Sequence, residues 1–533
     1  MFKTYKKFVW ISSLILLTVF IAGCQETTEK TKSEAAEQTE DVAVEESVGG
    51  TEINIALDGQ PPNLDHPTSA STSVRDTARL VFETLFTTDA NFQPVPMLAE
   101  SVETEDNETY TFHLREGVKF HNGKEMIAED VIASMERWLE KSTITGTIFD
   151  GATWESPDDY TVVLQLAEPS SLLLDTIASS KQSPAIMPKE IVETAPPEAV
   201  EEYIGTGPYE FVEWVQDQYI HFTKYDGYQP LEDEANGLAG KKEALIEDIY
   251  FHIVPDTSTR LAGLQTGEYD FVYGIPYDSY QLVESNPDLQ TFLTVHAAEF
   301  LVYNTIQGPV ADFELREAIN VALDPYEIMI AAFPDEDLFT LHSGYMDPQI
   351  ENWASEIGED YYNINDLEKA KELVEKSGYD GEALRLMTTR DYDHHYNVAI
   401  VIQEQLSNIG LNIELEVYDW PTINEKQFDQ GSWDLYTMSF STVSTPPQFL
   451  GLSPTWAAGV DDKYVHETMR EIELAPTLEE AQKLWDELQL YGWEELLSVS
   501  TLGSFNNLFG AQSYVEGLET FSGPIFWNTK IAK

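Results

Sequence analysis

Between Thr109 and Leu139 the apolar positions change period once. Tyr110, Phe112 and Leu114 alternate with polar residues, as in a strand with one buried face, and Val118 and Phe120 start a second alternation. Asn122-Gly123 follows, a pair that tolerates positive φ at both positions and predicts a two-residue hairpin turn. From Glu129 the period lengthens, with Val131, Met135, Trp138 and Leu139 at helical spacing. The same reading predicts an opening strand at Ile53–Leu57, then extended backbone through Gln60-Pro61-Pro62, where two prolines forbid a helix. A helix should carry Ala78, Val81, Phe82 and Leu85, and strands should follow at Tyr160–Leu164, Tyr209–Trp214 and Ile249–Val254.

The second half reads as alternating helices and strands. A helix from Asp312 places Leu315, Ile319, Ala322 and Leu323 on one face. Another is expected from Asn365 as N-cap, burying Leu367, Ala370 and Val374 and stopping at Gly378. A strand near Leu384–Leu386 leads into a loop, Thr389–His395, and then a helix with Val398, Ile402 and Leu406 that ends at Gly410. Leu411, Ile413, Leu415 and Val417 alternate with Asn412, Glu414 and Glu416, so this half contains a strand–helix–strand crossover and is α/β.

The ends and the charge narrow the setting. Lys3, Lys6 and Lys7 precede an uncharged apolar run, Phe8–Ala22, too short for an ordinary membrane span. The run closes Ile21-Ala22-Gly23-Cys24, which resembles a bacterial lipoprotein cleavage box, so residues 1–23 read as a signal peptide and Cys24 as the acylated N-terminus. Cys24 is the only cysteine, which leaves no disulfide. Residues 24–50 are rich in Glu, Thr, Ala and Ser, and read as a disordered acidic tether. With 94 acidic against 30 basic residues the formal charge is −64, which excludes a nucleic-acid partner. Such a charge also reads as a solvated surface suited to a saline or alkaline medium. The chain is too long for one ordinary core.

The string Phe112-His113-Leu114-Arg115-Glu116-Gly117-Val118-Lys119-Phe120-His121-Asn122-Gly123-Lys124, continued by Ala128-Glu129-Asp130-Val131, resembles the signature of family 5 solute-binding proteins. Those are extracytoplasmic receptors of ABC importers for oligopeptides, dipeptides and nickel. Gly205-Thr206-Gly207-Pro208-Tyr209 resembles the family's glycine-rich strand entry, and Gly267-Glu268-Tyr269-Asp270 its turn after a helix. The resemblance spans Thr51 to Lys533. It implies a two-lobe, periplasmic-binding-protein-like α/β fold of the large cluster C form of type II, with an extra subdomain in the first lobe. Lobe I would comprise residues 51–93, 204–300 and 510–533, its subdomain 94–203, and lobe II 301–509. It further implies a lipid-anchored monomer on the outer face of the cytoplasmic membrane. Such a receptor captures a solute, with peptide the leading class, and delivers it to ABC permease subunits, with no cofactor.

Candidate contact residues follow from the same resemblance. Gln60-Pro61-Pro62 resembles the extended segment that can pair with a bound peptide backbone, or is a simple connector. Asn304 lies at the expected lobe boundary. His395 and Trp420 stand where oligopeptide receptors have a pocket histidine and tryptophan; a surface histidine and a core tryptophan are the plain readings. Phe440-Ser441-Thr442 departs from the pattern. Peptide-binding members usually have an aspartate there for the ligand's α-ammonium, and alignment on Pro446 and Phe449-Leu450 puts Thr442 in its place. That weakens the case for free-amino peptides and keeps open a non-peptide solute: an oligosaccharide, an opine-like compound or a metal chelate. Asp391, Asp393, His394 and His395 are possible metal ligands, but no spacing motif supports them and no metal site is assigned. Neither Gly-x-Ser-x-Gly nor His-Glu-x-x-His occurs, so no catalytic residues are assigned. A sensory receptor and a surface hydrolase remain the alternatives outside transport.

Overall fold

In the computed structural model, residues 51–453, 456 and 460–533 are described. The expected signal peptide, Cys24 and the tether lie outside the described residues.

Two strands dominate the architecture. Leu289–Tyr303 and Val499–Gln512 pair antiparallel along nearly their whole length, at the centre of an 11-stranded sheet. On one side of this ribbon lie Leu435–Ser441, Leu384–Thr389 and Ile413–Tyr418, the last two parallel. On the other lie Phe271–Val272, Glu52–Leu57, Asp248–Ile253, Tyr219–Lys224 and Tyr209–Val215. The chain thus forms two α/β lobes sharing one sheet, joined through the ribbon. The alternation read from Ile53 and Ile55 buries both against Phe251 and Phe222 in the first lobe. The second core contains Phe300, Leu386, Val398 and Ile402. Phe526 returns from the C-terminal segment to pack edge-on against Phe251 and Phe271.

The signature string supplies one strand, Thr109–Leu114, of a four-stranded antiparallel sheet and the helix Ala128–Lys141 packed on it. Tyr110, Phe112, Leu114, Val131, Met135 and Trp138 are all buried, as their periods predict. The expected two-residue turn is a correction. Gly123 is at φ +82° and Asn122 is not in the left-handed region. Gly123 N–H donates to Phe120 O, and Phe120 N–H to Lys124 O, which closes a three-residue loop with glycine at the left-handed end.

His121 from this loop then meets the second motif. Its backbone N–H donates to Gly205 O at 2.9 Å, and its Nε2 lies 3.0 Å from Gly207 O. A Cβ on Gly205 would sit 2.0 Å from Val81 O, and one on Gly207 2.4 Å from Leu80 O. The two glycines therefore serve close backbone approach.

Two further local expectations are revised. The helix Leu367–Ser377 is capped by Asp366, whose side chain accepts from the N–H of Glu368 and Lys369, not by Asn365. It buries Ala370 and Leu373, while Leu367 is exposed. Asp393–Asn408 is one helix, so His394 and His395 belong to its first turn instead of to a loop. Its N-cap, Tyr392, has no capping side chain, which hid the start from the sequence.

Candidate functional site

The ribbon is not regular where the two lobes meet. Its register shifts between Val295 and Ala297 and again between Glu299 and Phe300. Such bulges re-aim side chains. His296, the extra residue of the first shift, and Glu299 lie three apart and should point to opposite faces of a flat strand. Both instead approach His394.

Beside these shifts lies a cavity of about 340 Å³. Its floor is the ribbon, through His296 and Phe505. One wall is the start of the helix Asp393–Asn408 with Trp420, and another is Met438–Ser441 and the segment at Phe449. Lys181 closes it from the first-lobe subdomain. A more open groove of about 630 Å³ runs along the helix Ala128–Lys141. Five of its side chains are Glu129, Glu136, Glu140, Lys141 and Lys189, so it is a solvated surface channel.

His395 and Trp420, expected in the pocket, both line the cavity with ring planes 6° apart and centroids at 5.9 Å. Trp420 begins the helix Trp420–Lys426, and its N–H donates to Asp391 Oδ2 at 2.7 Å. Phe440 and Ser441 line the cavity as well. Phe440 also packs against Phe300, Phe449 and Trp456, so its ring is wall and core together.

Five candidates lie off the cavity lining. Thr442 N–H donates to His296 O at 3.1 Å and so fastens the bulge. Gln60 is held in the first lobe, where Oε1 accepts from Asp217 N–H at 2.7 Å and Nε2 donates to Gln216. Pro61 is buried beside it and Pro62 is exposed. Asn304 is fully buried and its amide is consumed locally. It donates to Gln430 O and Trp433 O and accepts from Ile306 N–H and Gln307 N–H. Asn304 is therefore a turn-fixing residue, which corrects its assignment as a ligand contact.

Glu299 was not legible as a site residue. It is fully buried, and its Oε1 is 2.7 Å from His395 Nδ1. A carboxylate only accepts, so Nδ1 carries the proton and a neutral His395 keeps its lone pair on Nε2. Glu299 Oε2 faces His394 Nε2 at 4.0 Å, and neither atom has a hydrogen-bond partner. Burial, then repulsion from His395 and His296, holds His394 well below the usual imidazole range. Burial, then Arg75, brings His296 down to about 4. Both are therefore neutral donors at pH 7. Glu299, His394 and His395 each offer one atom within 4.8 Å of the others, a set that could hold a transition-metal ion. Asp391 is engaged by Trp420 and is not part of it, so the carboxylate expected beside the histidines is replaced by Glu299. The available signal was a single acid inside the apolar strand Ala297–Val302.

Among known proteins, a probable peptide ABC transporter periplasmic-binding protein of Sinorhizobium fredii is 28% identical over 495 residues, 87% of this chain and 91% of the relative. An oligopeptide-binding protein of Bacillus subtilis is 25% identical over 467 residues, 82% of this chain and 81% of the relative. The structure of an Agrobacterium tumefaciens periplasmic binding protein in complex with agropinic acid shares the fold. Its TM-score is 0.70 at 24% identity, over 90% of this chain and 99% of the other. The family model for the middle region of the bacterial extracellular solute-binding proteins, family 5, matches residues 93–459, more than half of the chain. With the two lobes, the shared ribbon and the cavity at their junction, this chain belongs to the bacterial extracellular solute-binding proteins of family 5, a family of binding proteins and not of enzymes.

Proposed function

We propose that this protein is the lipid-anchored receptor of an ABC importer, that it takes a peptide between its lobes, and that it hands the peptide to membrane permease subunits. The observation that carries the reading is the cavity at the ribbon. Its volume of about 340 Å³ falls within the range of small-ligand sites, about 300–1,000 Å³. It joins a stacked aromatic pair to side chains from both lobes, as a site closed by hinge motion requires. The name of the Sinorhizobium relative supports peptide as the class. The site residues proposed are His395, Trp420, Phe440 and Ser441, with Thr442 fastening the wall and Gln60-Pro61-Pro62 as the extended segment that pairs with a bound peptide backbone. Anchoring through Cys24 rests on the Ile-Ala-Gly-Cys box. Cys24→Ser should move the protein from the membrane fraction to the medium, and a variant still recovered with lipid attached would exclude the anchor.

Native mass spectrometry of freshly purified protein tests the ligand directly. A co-purified mass that fragments into amino-acid residues is the expected result. A metal-containing or non-peptide mass would reject peptide. A second reading, a metal chelate, is favoured by one observation, the unpartnered Glu299 Oε2 and His394 Nε2 beside His395.

A further inference from the structure

Lys181 stands apart in the charge pattern of this chain. The sequence holds 94 acidic and 30 basic residues, and among the described lysines only Lys119, Lys181, Lys224 and Lys426 make no ion pair; of these, Lys181 alone lines the cavity. Among the described residues Lys181 has no ion-pair partner, and its ammonium no hydrogen bond, although it is half-buried in the cavity wall. No aspartate or glutamate side chain lines that cavity among the described residues. Of the carboxylates that act on the cavity's lining residues, Asp76 is held by Arg75 and Arg79, Asp391 accepts from the Trp420 N–H, and Glu299 is bonded to His395. Asp58 has Arg260 beside it.

The loop that presents Lys181 is held rigidly. The next residue, Gln182, is buried at φ +47°, a conformation rare outside glycine. Its carbonyl accepts from Trp138 Nε1 at 2.7 Å, and its side-chain oxygen accepts from Thr143 N–H and Oγ1. Ser183 Oγ is 2.8 Å from His66 Nδ1. With the Lys181 N–H also donating to Ser179 Oγ at 3.3 Å, the backbone is held on both sides of Lys181. Burial, then Arg75, lowers the Lys181 pKa, so nothing in the protein compensates the ammonium. Lys181 is also the one lining residue that comes from the first lobe; the others belong to the ribbon or the second lobe.

We infer that the solute carries a carboxylate or an equivalent anionic group, and that Lys181 receives it across the cleft. This rests on the reading of the cavity as the solute site. An ammonium without a partner in a wall that is otherwise aromatic and imidazole favours a negative group at that end. Because Lys181 and the aromatic pair stand on opposite lobes, such a ligand would tie the lobes together by charge.

The test compares four probes on the full chain: a pool of tetrapeptides as free acids, the same pool as C-terminal amides, agropinic acid, and a neutral oligosaccharide. Acetylation of Lys181 by acetic anhydride is followed by peptide mass mapping, with the exposed Lys463 as internal reference. A free-acid probe should slow Lys181 acetylation by roughly tenfold or more, and the amides and the sugar should not. In calorimetry, Lys181→Met should weaken the protecting acid by roughly tenfold or more. Its unliganded melting temperature should not fall, because the lost charge had no partner. Equal protection by acids and amides overturns the inference and leaves the peptide reading standing. Protection by agropinic acid alone rejects the peptide reading and upholds this one. Full affinity in Lys181→Met, or no protection by either acid, also overturns it.

Discussion

Buried charge is treated in opposite ways in the first lobe and in the cleft. In the first lobe the buried acids Asp65, Asp76 and Glu83 are each answered. Asp65 meets the Arg137 guanidinium with two oxygens, one at 3.0 Å, and accepts from Val200 N–H at 2.9 Å. Glu83 accepts from Lys242 at 3.1 Å, Tyr228 at 2.9 Å and Thr206 at 3.0 Å. Asp76 holds Arg75 and Arg79, each at 2.7 Å. In the cleft, Lys181 has no partner, and Glu299 Oε2 and His394 Nε2 face each other without a bond. Pairing keeps the lobe's shape, and the unpaired charged groups of the cleft leave room for an outside partner.

The largest effect should come from breaking a pair. Arg137 lies in the signature helix and Asp65 in the first lobe, so their contact fixes the subdomain to its lobe. Arg137→Ala strands a buried carboxylate, and urea unfolding should register a loss of about 3–5 kcal/mol. A loss under about 1 kcal/mol would show that water replaces the guanidinium and that the pairing is not structural. The cleft should respond the other way round. Trp420→Ala should cost roughly 2 kcal/mol of affinity for a bound probe, measured by calorimetry, with the unliganded melting temperature nearly unchanged. Trp420 is only half-buried, and it rests on His395 and Tyr392 at the surface of the second core. A large loss of unliganded stability with normal binding would return Trp420 to packing.

Much of this contrast was legible only in part. Strand periods were read well because local pattern decides them: Tyr110, Phe112 and Leu114 had to face one core, whereas Val81, Phe82 and Leu85 lie beyond the helix Thr72–Ala78 expected to carry them. His395 and Trp420 were reached through resemblance. Glu299 and Lys181 were not reached at all. One sits in an apolar strand, the other in a serine-rich loop some two hundred residues from the helix it faces, and no local signal records that convergence. Asn304 was misread because a boundary asparagine looks the same whether it binds a ligand or closes a turn. The start of the helix at Asp393 was missed for want of a capping residue.

The smallest effect concerns a neutral buried group. Burial, then Arg79 and Arg75, takes His66 from 6.5 down to about 3. The folded-state value is lowered, so below pH 6.5 the unfolded chain takes up a proton that the folded chain refuses. Stability from this residue is intact above 6.5 and is lost as pH falls from there toward about 3. The slope should reach up to about 1.4 kcal/mol per pH unit. Urea unfolding of wild type and His66→Gln between pH 7 and 5.5 should show the wild type losing about 1.4 kcal/mol more. Parallel curves would mean that His66 is protonated in the folded state, and that the first lobe holds a buried charge the pairing rule does not cover.

The Thr442 N–H to His296 O bond makes one loop serve two duties. The chain that forms the cavity wall at Phe440 and Ser441 is also the clasp on the irregular stretch of the ribbon. A hinge is usually pictured as separate from the jaw it moves. If the lobes close about this ribbon, as the proposed capture requires, jaw and pivot share a stitch, and a load on Ser441 is carried to the backbone at His296. Selectivity and closing speed are then inherited together: a lineage that alters this wall to admit a new solute retunes the pivot in the same step.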